Sequence, residues 1–212
     1  MAWTFPHYRL LQFAKAPQPG RVKTRMQPYL TAAAATQLHC ELTNRVYTQL
    51  LAAELCPLEL WTSSADPFFT ELAQGQTPIF EQVAGDLGER MSAAVTTALS
   101  REAVQGVILV GSDCPFLDAG YLRQALEGLE SGQDAVLGPA TDGGYVLLAL
   151  AHSNKHVFKD IDWGSERVAA QTTARLDELG WRYSRLAPLA DIDRPEDLQL
   201  LPVDWPNSSW AS

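Results

Sequence analysis

A short segment near the start of the chain concentrates positive charge in an otherwise acidic sequence. Its cations are Lys15, Arg21, Lys23 and Arg25. The segment follows an apolar run at residues 8–14, which predicts a buried first strand. Pro17, Pro19 and Gly20 disfavour a helix here and favour a shaped turn. Since arginine and lysine both bind phosphate well, we predict a phosphate-binding loop; the alternative is an ordinary solvated basic loop.

Aspartates follow two further segments that we predict to be extended. Residues 106–111 form a continuous apolar run, which is typical of a central strand covered on both faces, and Asp113 comes directly after it. Ligands of open α/β sheets bind at the carboxyl ends of strands, so Asp113 is placed to hold a metal ion or a sugar hydroxyl. It is less needed as a helix cap, because Asp118 can cap the next helix. Near the end of the chain, Asp191 and Asp193 lie on the same side of an extended segment.

A pair of glycines, Gly143 and Gly144, separates two apolar runs at residues 134–139 and 145–150. The pair is consistent with a hairpin turn, and equally with a place where bare backbone approaches a ligand. Trp163 also allows two interpretations, either as an anchor in the core or as one wall of a pocket.

The composition restricts the class of protein. The chain has 212 residues, of which 46% are hydrophobic, and a net charge of -9, so general affinity for nucleic acid or an anionic membrane is not expected. No apolar run approaches the roughly 20 residues that a membrane span requires. The first residues lack the features of a signal peptide, and we therefore expect a cytoplasmic protein.

The order of the segments predicts an α/β fold. Strands and helices alternate along the chain, which favours one mostly parallel sheet covered by helices on both faces. A hairpin near residues 134–150 would make this sheet mixed. We expect a single domain over residues 1–201 and a loosely held tail over residues 202–212. The site should lie where the first strand, the Asp113 strand and the Asp193 segment end together.

Together these motifs resemble the GT-A nucleotide-diphospho-sugar transferase superfamily, which includes glycosyltransferases and nucleotidyltransferases. The segments that carry the resemblance are residues 13–25, 86–91, 111–115, 138–145 and 191–198. The chain is most similar to the bacterial glycosyltransferase-like group called selenodomain-associated transferase 1. It also looks like a cousin of the 2-phospholactate and molybdenum-cofactor guanylyltransferases. It departs from the superfamily where a Gly-rich loop is replaced by residues 13–17, and where Asp-X-Asp is reduced to Ser112-Asp113-Cys114.

The resemblance implies a metal-assisted transferase that takes a nucleotide or nucleotide-sugar and an unknown small-molecule acceptor. Asp113 and Asp193 are expected to hold one Mg²⁺ or Mn²⁺ ion. Phosphate binding is expected from the loop and the Asp113 strand, at Lys15, Gly20, Arg21, Lys23, Arg25 and Ser112. Lys23 would neutralise charge on the leaving phosphate, and Asp142 would be the general base for the acceptor. Gly143, Gly144 and Trp163 would line the substrate pocket.

Three functions remain open at this point. In glycosyl transfer the leaving group is a nucleoside diphosphate, whereas in nucleotidyl transfer it is pyrophosphate. A positively charged loop would stabilise the leaving group in both reactions. The third possibility is a module that senses nucleotide without catalysis. The sequence leaves the oligomeric state open as well.

Overall fold

Seven strands form one sheet in the computed structural model, which describes residues 3–27, 29–201 and 205. In chain order they are β1 (Tyr8–Ala14), β2 (Leu58–Thr62), β3 (Ile79–Glu81), β4 (Gly106–Val110), β5 (Ala135–Pro139), β6 (Tyr145–Leu150) and β7 (Tyr183–Arg185). Across the sheet the order is β3-β2-β1-β4-β6-β5-β7, and of these seven only β6 runs against the others. The predicted mixed, mostly parallel sheet is confirmed.

Five α-helices connect the strands. They are α1 (Ala32–Ala52), α2 (Pro67–Ala73), α3 (Leu87–Leu99), α4 (Ala119–Glu130) and α5 (Val168–Glu178). Short 3₁₀ helices cover Thr24–Met26, Lys155–Phe158 and Pro195–Leu200. A side chain caps the start of each of the first four α-helices by accepting a hydrogen bond from a backbone N–H of the first turn. The capping residues are Thr31, Asp66, Asp86 and Asp118 respectively. Because Asp118 caps α4, Asp113 is not required as a cap and is available to the site.

The helices cover both faces of the sheet, and the strand residues alternate between two apolar layers. Leu10 and Ile108 pack on one face with residues of α1 and α4. Leu11 and Leu109, their neighbours in sequence, pack on the other face with residues of α3 and α5. Each fully buried leucine or isoleucine contributes about 1.5–3 kcal/mol to stability. The central strands are therefore held firmly by packing on both faces, and the loops of the site follow their carboxyl ends.

The chain after β7 crosses the carboxyl edge of the sheet. The Leu189 N–H donates to the Pro139 carbonyl at the end of β5 (3.0 Å), and the Thr141 N–H donates to the Leu189 carbonyl (3.0 Å). Further along, the Ile192 N–H donates to the Asp113 carbonyl beyond β4 (2.9 Å). These backbone bonds bring the aspartates on either side of Ile192 to the end of the Asp113 strand.

Most of the predicted tail, residues 202–204 and 206–212, lies outside the described residues. Trp205 is described, and its indole N–H donates to Glu41 of α1 (3.2 Å). The domain boundary at residue 201 stays a prediction. Within the described ranges, none of the helices combines the length and the apolar character that crossing a bilayer demands.

The β5–β6 connection is a tight turn, which is one of the two interpretations that the paired glycines allowed. The Gly144 N–H donates to Asp142 Oδ1 (2.8 Å), and the Ala140 N–H donates to the Gly144 carbonyl (2.9 Å). Gly143 has φ +92, and a Cβ there would lie 2.1 Å from the Glu166 carbonyl oxygen. The atoms that approach this glycine therefore belong to the chain's own loop before α5.

We expect Gly143→Ala to lower the free energy of unfolding by about 2–4 kcal/mol, because it adds a backbone clash to the strain of a positive φ. Gly20→Ala is the matched control, since Gly20 also has a positive φ (+79) but no atom within 4 Å of the added Cβ. Gly20→Ala should lower the free energy of unfolding by only about 1 kcal/mol. Urea unfolding of both variants measures the difference, and equal losses would contradict the clash.

Candidate active site

Lys23 is the point at which three segments meet at the carboxyl edge of the sheet. Its side chain is only 2% exposed, and its Nζ lies 2.6 Å from Asp113 Oδ1 and 3.7 Å from Asp193 Oδ1. The ammonium also donates to the Ile192 carbonyl (2.5 Å). The structure thus brings together the first loop, the end of the Asp113 strand and the Asp193 segment.

The loop after β1 is shaped to turn Lys23 inward. Val22 and Met26 are buried on either side of it and anchor the loop to the fold. Lys23 itself adopts a left-handed backbone conformation, with φ 48 and ψ 40, just before the Thr24–Met26 turn. Such a conformation costs a non-glycine residue about 1–3 kcal/mol and persists only where the surroundings hold it. Lys23 is therefore a buried residue and does not fit the alternative of an ordinary solvated basic loop.

The other loop cations divide into two kinds. Arg25 Nη1 lies 2.8 Å from Asp193 Oδ2, and its Nη2 donates to the Gly164 carbonyl (2.8 Å). Lys15 and Arg21 are exposed, and neither forms an ion pair within the described ranges. Lys23 and Arg25 thus pair with aspartates in this state, and phosphate binding by all four cations stays a prediction.

The Asp113 carboxyl is ionised by its neighbours. Burial acts to raise its pKa, but the Lys23 ammonium opposes this, and the pKa of Asp113 lies below its ordinary value. Its Oδ1 is buried, and the Lys23 ammonium 2.6 Å away is its main compensation. Asp113 therefore carries a negative charge at neutral pH, as a ligand of a cation must.

An acidic cleft of about 210 Å³ has Asp193 in its wall. It is lined by Thr141, Asp142, Asp191, Asp193, Arg194 and Asp197. Burial and the neighbouring carboxylates, Asp142 first among them, raise the pKa of Asp191 to about 6. Asp142 is exposed, and one of its oxygens is held by the Gly144 N–H. The site thus has an acidic side around these aspartates and a basic side around Lys15 and Arg21.

The predicted pocket residues do not line this cleft. Among the described residues that form the cleft walls, Gly143, Gly144 and Trp163 are absent. Trp163 is half-buried, packs edge-on against Tyr145 with ring centroids 6.4 Å apart, and belongs to an apolar cluster. The anchoring interpretation of Trp163 accounts for these contacts, and its role as a pocket wall stays a prediction.

Ser112 is predicted to bind phosphate, but its hydroxyl has another use in this structure. The side chain is buried and donates to the Phe13 carbonyl at the end of β1 (2.9 Å). It also accepts a bond from Gln12 Nε2 (3.2 Å), and Gln12 donates to the Thr43 carbonyl of α1 (3.1 Å). Ser112 and Gln12 therefore join the ends of β1 and β4. Gln12, a polar residue in an apolar strand, was a signal that the sequence analysis missed.

His39 of α1 also belongs to the site, although its position in a helix gave no sign of this. It is buried, and its Nε2 lies 2.8 Å from the Lys15 carbonyl. Since a carbonyl only accepts, Nε2 carries the hydrogen. Burial lowers the pKa of His39, which favours the neutral ring at neutral pH. His39 thereby fixes the start of the basic loop to α1.

The donor set around Lys23 suits a hard cation. Two carboxylate oxygens and the Ile192 carbonyl converge on one point, and oxygen ligands are those that Mg²⁺ and Mn²⁺ prefer. That point is taken by the Lys23 ammonium. In the described part of the chain, no group of three or more His, Cys, Asp or Glu side chains is arranged to hold a metal.

Sequence comparison assigns the chain to a family. Residues 46–165, more than half of its length, match the family described as uncharacterized protein conserved in bacteria (DUF2064). The chain belongs to this family. A search of curated proteins finds no match for this DUF2064 member.

Solved structures share the fold. A protein from Desulfovibrio desulfuricans G20, described provisionally as a nucleotide-diphospho-sugar transferase, is 29% identical with a TM-score of 0.85, covering 97% of this chain and 90% of its own. A 4-diphosphocytidyl-2C-methyl-D-erythritol synthase is 10% identical with a TM-score of 0.63, covering 92% and 96%. Glucosyl-3-phosphoglycerate synthase from Mycobacterium tuberculosis, solved with Mn²⁺ and UDP, is 11% identical with a TM-score of 0.56, covering 92% and 75%. The predicted GT-A-type fold and the resemblance to the superfamily are confirmed.

We expect His39 to make the unmutated protein less stable as the pH falls below 6.5, the ordinary value for histidine. In that window the unfolded chain binds a proton at this residue and the folded chain does not, so acid favours unfolding. His39→Gln retains a donor for the Lys15 carbonyl and should remove this part of the pH dependence.

Urea unfolding on both sides of pH 6.5 measures this effect, with the exposed His7→Gln as the control. The two variants should differ in the slope of stability against pH. Identical slopes for His39→Gln and the unmutated protein would contradict the prediction.

Proposed function

We propose that this protein is a transferase acting on a nucleotide-linked donor, with glycosyl transfer from a nucleotide-diphospho-sugar as the first candidate. One observation carries the proposal: the basic loop after β1 meets Asp113 and Asp193 at the carboxyl edge of the sheet. Ligands of such sheets bind at this edge. The 29% identical relative, named as a nucleotide-diphospho-sugar transferase, supports the choice of donor.

The basic side of the site receives the donor phosphates. Lys15 and Arg21 are exposed cations on the loop, and the exposed Gly20 between them leaves open space around its backbone. Arginine can hold two phosphate oxygens at once and lysine adds a mobile charge. Lys23 and Arg25 would join them when they are released from the aspartates, and Ser112 would contribute from the end of β4.

Asp113 and Asp193, with the Ile192 carbonyl, would hold the divalent cation, Mg²⁺ or Mn²⁺. When bound, such an ion supplies charge neutralisation at the leaving phosphate. The proposal fits the oxygen donor set around Lys23 and the presence of Mn²⁺ with UDP in the glucosyl-3-phosphoglycerate synthase structure. Two protein carboxylates suffice for Mg²⁺, which commonly completes its shell with phosphate and water.

The acidic cleft would take the acceptor. Asp142 is proposed as the general base for the acceptor hydroxyl, because it is exposed and the Gly144 N–H fixes one of its oxygens. Asp191, with its pKa raised to about 6, lies on the same cleft and is a second candidate for this proton. We place the acceptor among small hydroxylated molecules and the protein in the cytoplasm.

The second candidate function is nucleotidyl transfer with release of pyrophosphate, favoured by the fold shared with the 4-diphosphocytidyl-2C-methyl-D-erythritol synthase. A non-catalytic nucleotide sensor is the third. A thermal-shift panel of nucleotides and nucleotide-sugars with Mg²⁺ selects the ligand, and a ligand at a hundred times its Kd adds about 2.7 kcal/mol of stability. Product analysis then distinguishes the three functions. Release of nucleoside diphosphate indicates glycosyl transfer, release of pyrophosphate indicates nucleotidyl transfer, and the absence of turnover indicates a sensor.

Arg21→Ala should weaken binding of the selected nucleotide about tenfold, because it removes a charge-assisted bond to phosphate. Folding should be unaffected, since an exposed charge contributes only about 0–1 kcal/mol. Arg123→Ala, an exposed arginine of α4 that packs near Phe5 before β1, is the control. Unchanged nucleotide affinity in Arg21→Ala would contradict a role of Arg21 in phosphate binding.

Asp113→Asn should abolish the dependence of nucleotide affinity on Mg²⁺, because it removes one of the two charged ligands. Adding Asp193→Asn to this variant should change the Mg²⁺ dependence of nucleotide affinity little further, since both residues act through the same ion. Calorimetry with Mg²⁺ and with EDTA measures the dependence, and Glu127→Gln on α4 controls for loss of charge. If the unmutated protein binds nucleotide equally well in EDTA, the shared metal is ruled out.

A further inference from the structure

We propose that the Lys23 ammonium is a built-in cation of the Asp113–Asp193 pair that competes with the divalent metal for the same oxygens. In the ligand-free protein the metal would be kept out, and it would enter only when Lys23 moves away. This inference rests on the metal site of the proposed function. It does not depend on which nucleotide, if any, the protein binds.

The overlap of the two cations follows from the distances. The Lys23 Nζ lies 2.6 Å from Asp113 Oδ1 and within 3.7 Å of Asp193 Oδ1. A Mg²⁺ ion bound to the same oxygen would lie about 2.1 Å from it. Both ions cannot contact Asp113 Oδ1 from the same side, and their like charges repel in a partly buried site. One must leave for the other to bind.

The loop allows Lys23 to be the cation that leaves. The side chain is a flexible four-carbon stem with a single charge at its end, so it can change direction by rotation about its bonds. Its exposed neighbours on the loop, Lys15 and Arg21, mark where an anion would attract it. The side chains of Asp113 and Asp193 are 44% and 27% exposed, so both carboxylates reach the surface, although Asp113 Oδ1 itself is buried while the ammonium contacts it.

The proposed competition predicts a result that differs from the one expected if Lys23 only bound phosphate. If Lys23 only contacts phosphate, removing it leaves metal binding in the absence of nucleotide unchanged. If it competes with the metal, removing it should strengthen metal binding although no phosphate is present. The sign of this change separates the two roles.

The experiment measures Mn²⁺ binding to the nucleotide-free protein by electron paramagnetic resonance. We expect Lys23→Met to bind Mn²⁺ at least about tenfold more tightly than the unmutated protein, a difference of about 1.4 kcal/mol. Arg21→Met removes a positive charge from the same loop without an ion pair to these aspartates, and it should change the affinity far less. The double variant Lys23→Met with Asp113→Asn should lose the gain.

Equal Mn²⁺ affinity in Lys23→Met and the unmutated protein would overturn the proposal, as would an equal gain in Arg21→Met. If Lys23→Met fails to fold without metal, Mn²⁺ should restore its circular dichroism spectrum, and lack of rescue overturns the proposal as well. These measurements contain no nucleotide. A negative nucleotide panel would therefore refute the proposed function and leave this competition intact.

Discussion

The structure depends on one buried positive charge. Removing an ammonium from water costs several kcal/mol, and the cost is offset only where oxygens surround it closely. For Lys23 these oxygens come from the end of β4 and from the segment after β7, while the lysine comes from the loop after β1. Three parts of the chain that are distant in sequence must therefore be placed correctly for the charge to be tolerated.

The sheet topology supplies that placement. Because β6 is inserted in reverse between β4 and β5, the chain after β7 must cross from the end of β5 to the end of β4. The Ile192 N–H bond to the Asp113 carbonyl fixes the crossing, and Arg25 adds a second tie by joining Asp193 to the Gly164 carbonyl. The fold thus determines which aspartates face Lys23, and Lys23 in turn holds the loop in a strained backbone conformation.

Much of this arrangement was predictable from the sequence. Alternating strands and helices predicted the layered sheet, and polar residues directly after apolar runs predicted which segments meet at its edge. The direction of Lys23 was not predictable, because a run of cations shows charge but not which side chain points inward. His39 was missed since a helical histidine has no local signature, and Gly143 owes its identity to Glu166, which approaches it only in the folded chain.

The pairing of charges bears on how an acidic protein could bind the anionic donor proposed above. Lys23 and Arg25 are balanced by Asp113 and Asp193, so the centre of the site has no net charge in this state. In the proposed function, attraction for phosphate would then come from Lys15 and Arg21, which are exposed. The surrounding acidic surface repels anions at long range, but this repulsion is screened over about 8 Å at physiological ionic strength. A ligand that contacts the loop directly responds mainly to the local cations, and a site of this kind selects for close, specific phosphate contact over general affinity for polyanions.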